Sequence, residues 1–98
     1  MKELKFTWDE NKALTNQQKH GVSFEETKNI FYDHYARLIA DPDSSQKEER
    51  FLLLGLSSQL KLLLVCHCYR EAGNQLRIIS ARKANKSEQI QYEGFRDA

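Results

Sequence analysis

The side chains best suited to chemistry gather in the second half of the chain. Residues 77–84 read RIISARKA, with Arg77, Arg82 and Lys83 around the apolar pair Ile78 and Ile79. An arginine fork can hold a phosphate bidentately, while a lysine acts as a point charge. Across residues 70–86, Arg70, Arg77, Arg82, Lys83 and Lys86 stand against Glu71 alone, a net +4. That sign suits contact with phosphates. His67 lies between Cys66 and Cys68, and an ordinary imidazole with a pKa of about 6.5 takes or gives a proton near neutrality. A neutral, hydrogen-bonded sheet histidine is at least as good a reading of the same position. A metal site is disfavoured, since alternation turns Cys66 and Cys68 away from His67 and no second ligand pair follows.

Other chemistries find little support. G-x-G-x-x-G, G-x-x-x-x-G-K-[ST] and H-E-x-x-H are absent. Gly55-Leu56-Ser57 lacks the strand-to-helix setting of a nucleophile elbow. Glu48 and Glu49 read as solvated carboxylates. They belong to an acidic stretch, 41–49, where Asp41, Asp43, Glu48 and Glu49 outnumber Lys47 for a net −3. His20 and His34 fall at helix or loop ends and read as solvated.

These side chains need a framework. Ninety-eight residues, 40% hydrophobic and 30% charged, suit one soluble domain over residues 1–98 with one core. The net charge of +1 argues against a surface that coats nucleic acid, but not against a local basic patch. The charged N-terminus lacks the apolar stretch of a signal peptide, and the run 62–66 is too short to span a bilayer. A cytoplasmic protein with reduced thiols, without membrane contact, is expected.

Residues 3–8 alternate like a strand, and Asp9 can cap a mostly exposed helix over 10–19 that stops at Gly21. Ser23 and Glu26 form an S-x-x-E capping box. Phe24, Thr27, Ile30 and Phe31 then make one helical stripe ending near Tyr32 or Asp33. Residues 36–40 suit a short strand, and 41–45 read as a turn. Three strands follow at 49–57, 60–70 and 75–82, joined by connections short enough for hairpins. Strict alternation along 75–82 opposes Arg77 to Arg82. Arg82 and Lys83 would emerge where that strand ends, between sheet and last helix. Asn85 and Glu88 can cap that helix over 86–96, docked by Ile90, Tyr92 and Phe95. The predicted order is strand, helix, helix, four-stranded antiparallel meander, helix, an α+β layout.

The stretches FTWDENKA (6–13), KHGVSFEE (19–26), DPD…EERF (41–51), GLSS (55–58) and RIISARKA (77–84) resemble BrnT proteins. That family is a branch of the RelE-like ribonuclease toxins of type II toxin–antitoxin systems, and the resemblance runs through nearly the whole chain, including Tyr92-Glu93. It implies a RelE-like fold and an endoribonuclease that arrests growth. It implies cleavage of RNA, free or on the ribosome, by 2′-OH attack on the adjacent phosphate, with no metal and no cofactor. The implied partner is a BrnA-like ribbon-helix-helix antitoxin, through which the complex binds promoter DNA. Such chemistry needs a group to handle the 2′ proton, cations for the phosphorane and a donor for the leaving oxygen. Arg82, Lys83, His67 and Arg50 are the expected catalytic residues. Arg77, Arg70, Lys86, Trp8 and Tyr92 are the expected RNA contacts. The alternative is a module that keeps the fold and binds the antitoxin without cleaving. A direct nucleic-acid-binding regulator is weaker, for want of a recognition helix.

Overall fold

A computed structural model describes residues 4–40, 49–71 and 73–97. The elements are β1 (Lys5–Thr7), α1 (Glu10–His20), α2 (Phe24–Thr27), a 3₁₀ turn (Lys28–Tyr32), β2 (Arg37–Ala40), β3 (Phe51–Leu56), β4 (Leu62–Arg70), β5 (Gln75–Lys83) and α3 (Lys86–Arg96). The expected turn at 41–45 lies outside the described residues. No described helix is long and apolar enough to cross a membrane.

The five strands form one sheet in the order β1-β5-β4-β3-β2. Strands β2 to β5 pair antiparallel, with short connections between β3 and β4 and between β4 and β5, and β1 joins β5 in parallel. The parallel edge follows from α1 and the strands between, which form a long crossover from β1 to β5.

Local chemistry sets the helices. Asp9 Oδ1 accepts from the amides of Asn11 and Lys12, and Gly21 at φ 70° closes α1. Ser23 Oγ accepts from the Glu26 amide, but the Glu26 carboxylate does not complete the box. It accepts from Ser57 Oγ at 2.9 Å instead, tying α2 to the sheet. The expected second helix is shorter than its apolar stripe, because α2 tightens into the 3₁₀ turn after one turn. This turn lies close against β3. A Cβ on Gly55 would meet Ile30 Cβ at 3.0 Å and the Ile30 carbonyl oxygen at 3.2 Å, so a larger residue there would push the turn off the strand by a few tenths of an ångström.

The sheet divides the core. On one face Leu53, Leu63, Val65, Leu76, Ile78 and Ala81 pack with Val22, Phe24 and Ile30 under α1 and α2. On the other, Leu54, Leu64, Ala84 and Tyr92 pack under α3, with Leu52, Leu56 and Leu62 beside them. Strands covered on both faces explain the near-continuous apolar runs at 51–56 and 62–66.

Candidate functional site

One residue decides where the cations point. The β4–β5 register runs Leu64↔Arg82, Val65↔Ala81, Cys66↔Ser80, and then His67↔Ile78, Cys68↔Arg77. Ile79 is therefore an extra residue, a β-bulge. Leu64 and Cys68 share a face of β4, so their partners Arg82 and Arg77 share it too. Strict alternation opposes these arginines; the bulge corrects that expectation. It also returns both Ile78 and Ala81 to the core.

Parallel pairing with β5 adds Lys5 and Thr7 to this face, beside Gln75 and Arg77. Arg70, opposite Gln75, lies on it as well. Arg50 immediately precedes β3 and alternates with Leu52 and Leu54, which sets it one step beyond the Leu52↔Cys66 pair, beside Cys68. Helix α3 covers this face over Leu52, Leu54, Leu56, Leu62 and Leu64, with Phe95 stacked 4.1 Å from the Arg37 guanidinium and Glu88 bound to Arg82. Beyond it the sheet presents Lys5, Arg50, Arg70 and Arg77 around the buried thiols Cys66 and Cys68. Lys5 and Arg70 are exposed, while Arg50 and Arg77 are half-buried. Thr7 Oγ1 is buried beside Arg77 and has no hydrogen-bond partner. Neither Lys5 nor Thr7 was expected here. The signal for them was tertiary, the parallel seating of β1.

Arg82 turns toward α3 instead. Its Nη1 and Nη2 donate to Glu88 Oε1 and Oε2 at 2.8 and 2.9 Å. Glu88 also accepts from the Asn85 amide, and Asn85 Oδ1 accepts from the Glu88 amide, so the predicted capping box is complete. The Arg82 bond holds the Glu88 carboxyl below its usual range, and the same bond raises the guanidinium. The fork expected for phosphate is engaged in fixing the start of α3. Lys83 and Lys86 are exposed at the junction between β5 and α3.

His67 lies on the opposite face. It is 0% exposed, with Nδ1 3.3 Å from the Val65 carbonyl and Nε2 without a partner. Burial lowers its pKa, which favours the neutral ring. The structure does not bring His67 to the arginines. Trp8 lies on the same face as His67, packed against the core under α1 and α2. Its ring meets Phe24 edge-on, centroids 6.0 Å apart, and Lys28 Nζ lies 5.3 Å from its centroid. Tyr92 is buried, and its hydroxyl donates to Asp33 Oδ2 at 2.6 Å. Asp33 further accepts from the Leu56 and Tyr35 amides. Burial would raise the Asp33 carboxyl, but the Tyr92 and amide bonds outweigh it and lower it. Burial and the Asp33 bond push the Tyr92 hydroxyl up to about 12. Tyr92 therefore clips α3 to the 3₁₀ turn and β3. Among the described residues, no group of three His, Cys, Asp or Glu could hold a metal ion.

A half-sheet of three arginines and a lysine beside a buried hydroxyl suits a polyanion backbone. Residues 8–88 match the family model of BrnT, the ribonuclease toxin of type II toxin–antitoxin systems. The chain belongs to the BrnT family. The fold is also similar to the crystal structure of the Brucella abortus ribonuclease toxin BrnT, at 24% identity and a TM-score of 0.66, covering 86% of this chain and 100% of that one. No curated protein matches in sequence. As a BrnT toxin of a type II system, this chain has an antitoxin partner.

Proposed function

We propose that this BrnT chain is a metal-independent endoribonuclease of RelE-like mechanism, with the Arg77 face of the sheet as its RNA-binding surface. The observation that carries this reading is the bulge at Ile79. It turns Arg77 toward Arg50, Arg70 and Lys5 on the part of the face that α3 leaves uncovered.

In this reading the RNA phosphate lies against the guanidinium groups. The ribose 2′ oxygen attacks the adjacent phosphorus, the P–O5′ bond breaks, and one proton passes from O2′ while another reaches O5′. The products are a 2′,3′-cyclic phosphate and a 5′-hydroxyl. Arg77 and Arg50 stabilise the charge that grows on the phosphorane oxygens. His67 is enclosed in the core and takes no proton from substrate. Cleavage arrests growth from within the cytoplasm. A BrnA-like ribbon-helix-helix antitoxin neutralises the toxin and carries the complex to promoter DNA.

A second reading has its own support. Arg82 and His67, two of the four expected catalytic residues, serve packing. A chain that binds its antitoxin but no longer cleaves would keep both. One experiment separates the two. Antitoxin-free protein is incubated with end-labelled single-stranded RNA and with translating ribosomes in excess EDTA, and the new ends are mapped. The first reading expects 2′,3′-cyclic phosphate and 5′-hydroxyl ends. Products with 3′-hydroxyl ends, or cleavage only on adding a divalent cation, would refute it. Intact RNA beside a tight antitoxin complex would establish the second.

A further inference from the structure

A cleft of about 430 Å³ lies between α3 and the tip of the β3–β4 hairpin, at the opposite end of the sheet from Arg77. Leu56 and Leu62 form its floor, and Leu60 stands at its mouth, 80% exposed. Lys61, Lys83 and Arg96 rim it, with Lys61 Nζ also 3.9 Å from Glu26 Oε1, and Glu93 is the one acid among its described lining. Leu62 and Arg70 are the two ends of β4. At roughly 3.3 Å per residue they stand ~26 Å apart, with α3 seated between the cleft and the arginines.

Leu60 carries a second observation. Its φ is 62°, a left-handed conformation that asparagine or glycine adopts without strain and leucine rarely does. The turn that imposes it is tightly built. Leu60 N donates to Ser57 O at 3.0 Å, and Ser57 N donates to Lys61 O at 2.8 Å. Ser57 Oγ accepts from the Gln59 and Lys61 amides and donates to Glu26. A branched apolar side chain is thus held rigidly in solvent, at a position whose backbone favours other residues. Strain and exposure of this kind mark a surface that works in contact with something.

We propose that this cleft is the docking site for an acidic amphipathic helix of the antitoxin. This rests on the family assignment, which supplies a protein partner. The occupant follows from the lining. Apolar side chains spaced one turn apart would fill the floor beside Leu60, and flanking carboxylates would meet Lys61, Lys83 and Arg96. A nucleic-acid strand would meet the same cations, but would leave Leu56, Leu60 and Leu62 against a polar backbone. The antitoxin therefore grips the toxin at the opposite end of the sheet from the arginines that would hold RNA.

The test is a Leu60→Asp, Arg96→Glu double variant, compared with wild type. Affinity is measured by calorimetry against antitoxin separated from the coexpressed complex, and RNA cleavage is followed in parallel. Aspartate tolerates positive φ, so the variant should melt no earlier than wild type apart from the Arg96 change; Leu60→Asn alone serves as the folding control. The Kd for antitoxin should rise at least tenfold, and coexpressed antitoxin should no longer rescue growth, while cleavage by the free toxin stays unchanged. A Kd within twofold of wild type would overturn the proposal. So would a loss of cleavage with unchanged Kd, which would give the cleft to RNA. Wild-type protein that binds antitoxin but cuts no RNA would refute the ribonuclease reading alone, because docking is measured directly.

Discussion

His67 is enclosed by Phe31, Phe51 and Tyr69, with ring centroids 4.9, 6.1 and 5.4 Å away. Burial lowers its folded pKa below the unfolded value of about 6.5. The sign follows from linkage. Above the unfolded pKa both states hold a neutral ring, and the contribution to stability is full. As pH falls below it, the unfolded chain takes up a proton first, and stability declines until the folded pKa is reached. Urea unfolding of wild type should therefore weaken from pH 7.5 to pH 5. The His67→Phe variant should flatten that decline and still cleave RNA at a wild-type rate. A variant that folds but has lost cleavage would return His67 to the site. Arg77 is the converse case, half-buried and on the part of the sheet that α3 does not cover. Arg77→Ala should lower cleavage by roughly 10²–10³, the range for losing one charge-stabilising group. Its melting temperature should stay within a few degrees of wild type. Arg77→Lys keeps the charge but loses the fork, and should recover only part of the rate.

Between elements, the joint that matters most is Asn16. Strand β1 pairs with β5 only as far as Arg77, which leaves the rest of the β5 edge without a strand. The buried Asn16 side chain replaces it. Its Oδ1 accepts from the Ala81 amide at 3.0 Å, and its Nδ2 donates to the Ala81 and Val22 carbonyls at 2.9 and 3.1 Å. One carboxamide thus seats α1 beside the bulge and holds the segment that aims Arg82. Asn16→Ala would strand buried main-chain groups, at a cost of about 2–3 kcal/mol. Chemical denaturation checks this, and a loss below about half a kcal/mol would show that water fills the place. The same contrast explains what the sequence disclosed. The bounds of α1, α3 and the four later strands were legible because capping residues and apolar runs are local signals. The completed Asn85–Glu88 box is the clearest case. The Ile79 bulge and the bonds of Asn16 were not legible. Each depends on a partner 65 residues away, or on a single extra residue with no type of its own. The face of Arg77 was misjudged for the same reason. A period-2 rule carries every side chain to the wrong side once one residue is inserted.

Over the whole molecule, charge is segregated rather than abundant. The net charge is +1, so the field at long range is weak and does little to draw RNA from a distance. In the proposed reading, RNA binding depends instead on the short-range cations that the sheet collects at one end, Lys5, Arg50, Arg70 and Arg77. Counterion release then sets a definite expectation. For single strands each neutralised phosphate contributes about −0.7 to the slope of log K against log salt, so one phosphate for each of these cations gives a slope of roughly −3. Fluorescence anisotropy on a noncleavable 2′-deoxy or 2′-O-methyl oligonucleotide, titrated at several salt concentrations, measures it. Arg77→Ala should make the slope shallower by about 0.7, the share of a single phosphate. Arg82→Ala should leave the slope unchanged and lower stability instead, because its guanidinium is already paired with Glu88 across the start of α3. If Arg82→Ala changes the slope as much as Arg77→Ala does, the Glu88 pair opens when RNA binds, and the phosphate path runs along β5 toward α3 rather than across the end of the sheet that carries Arg50 and Arg70.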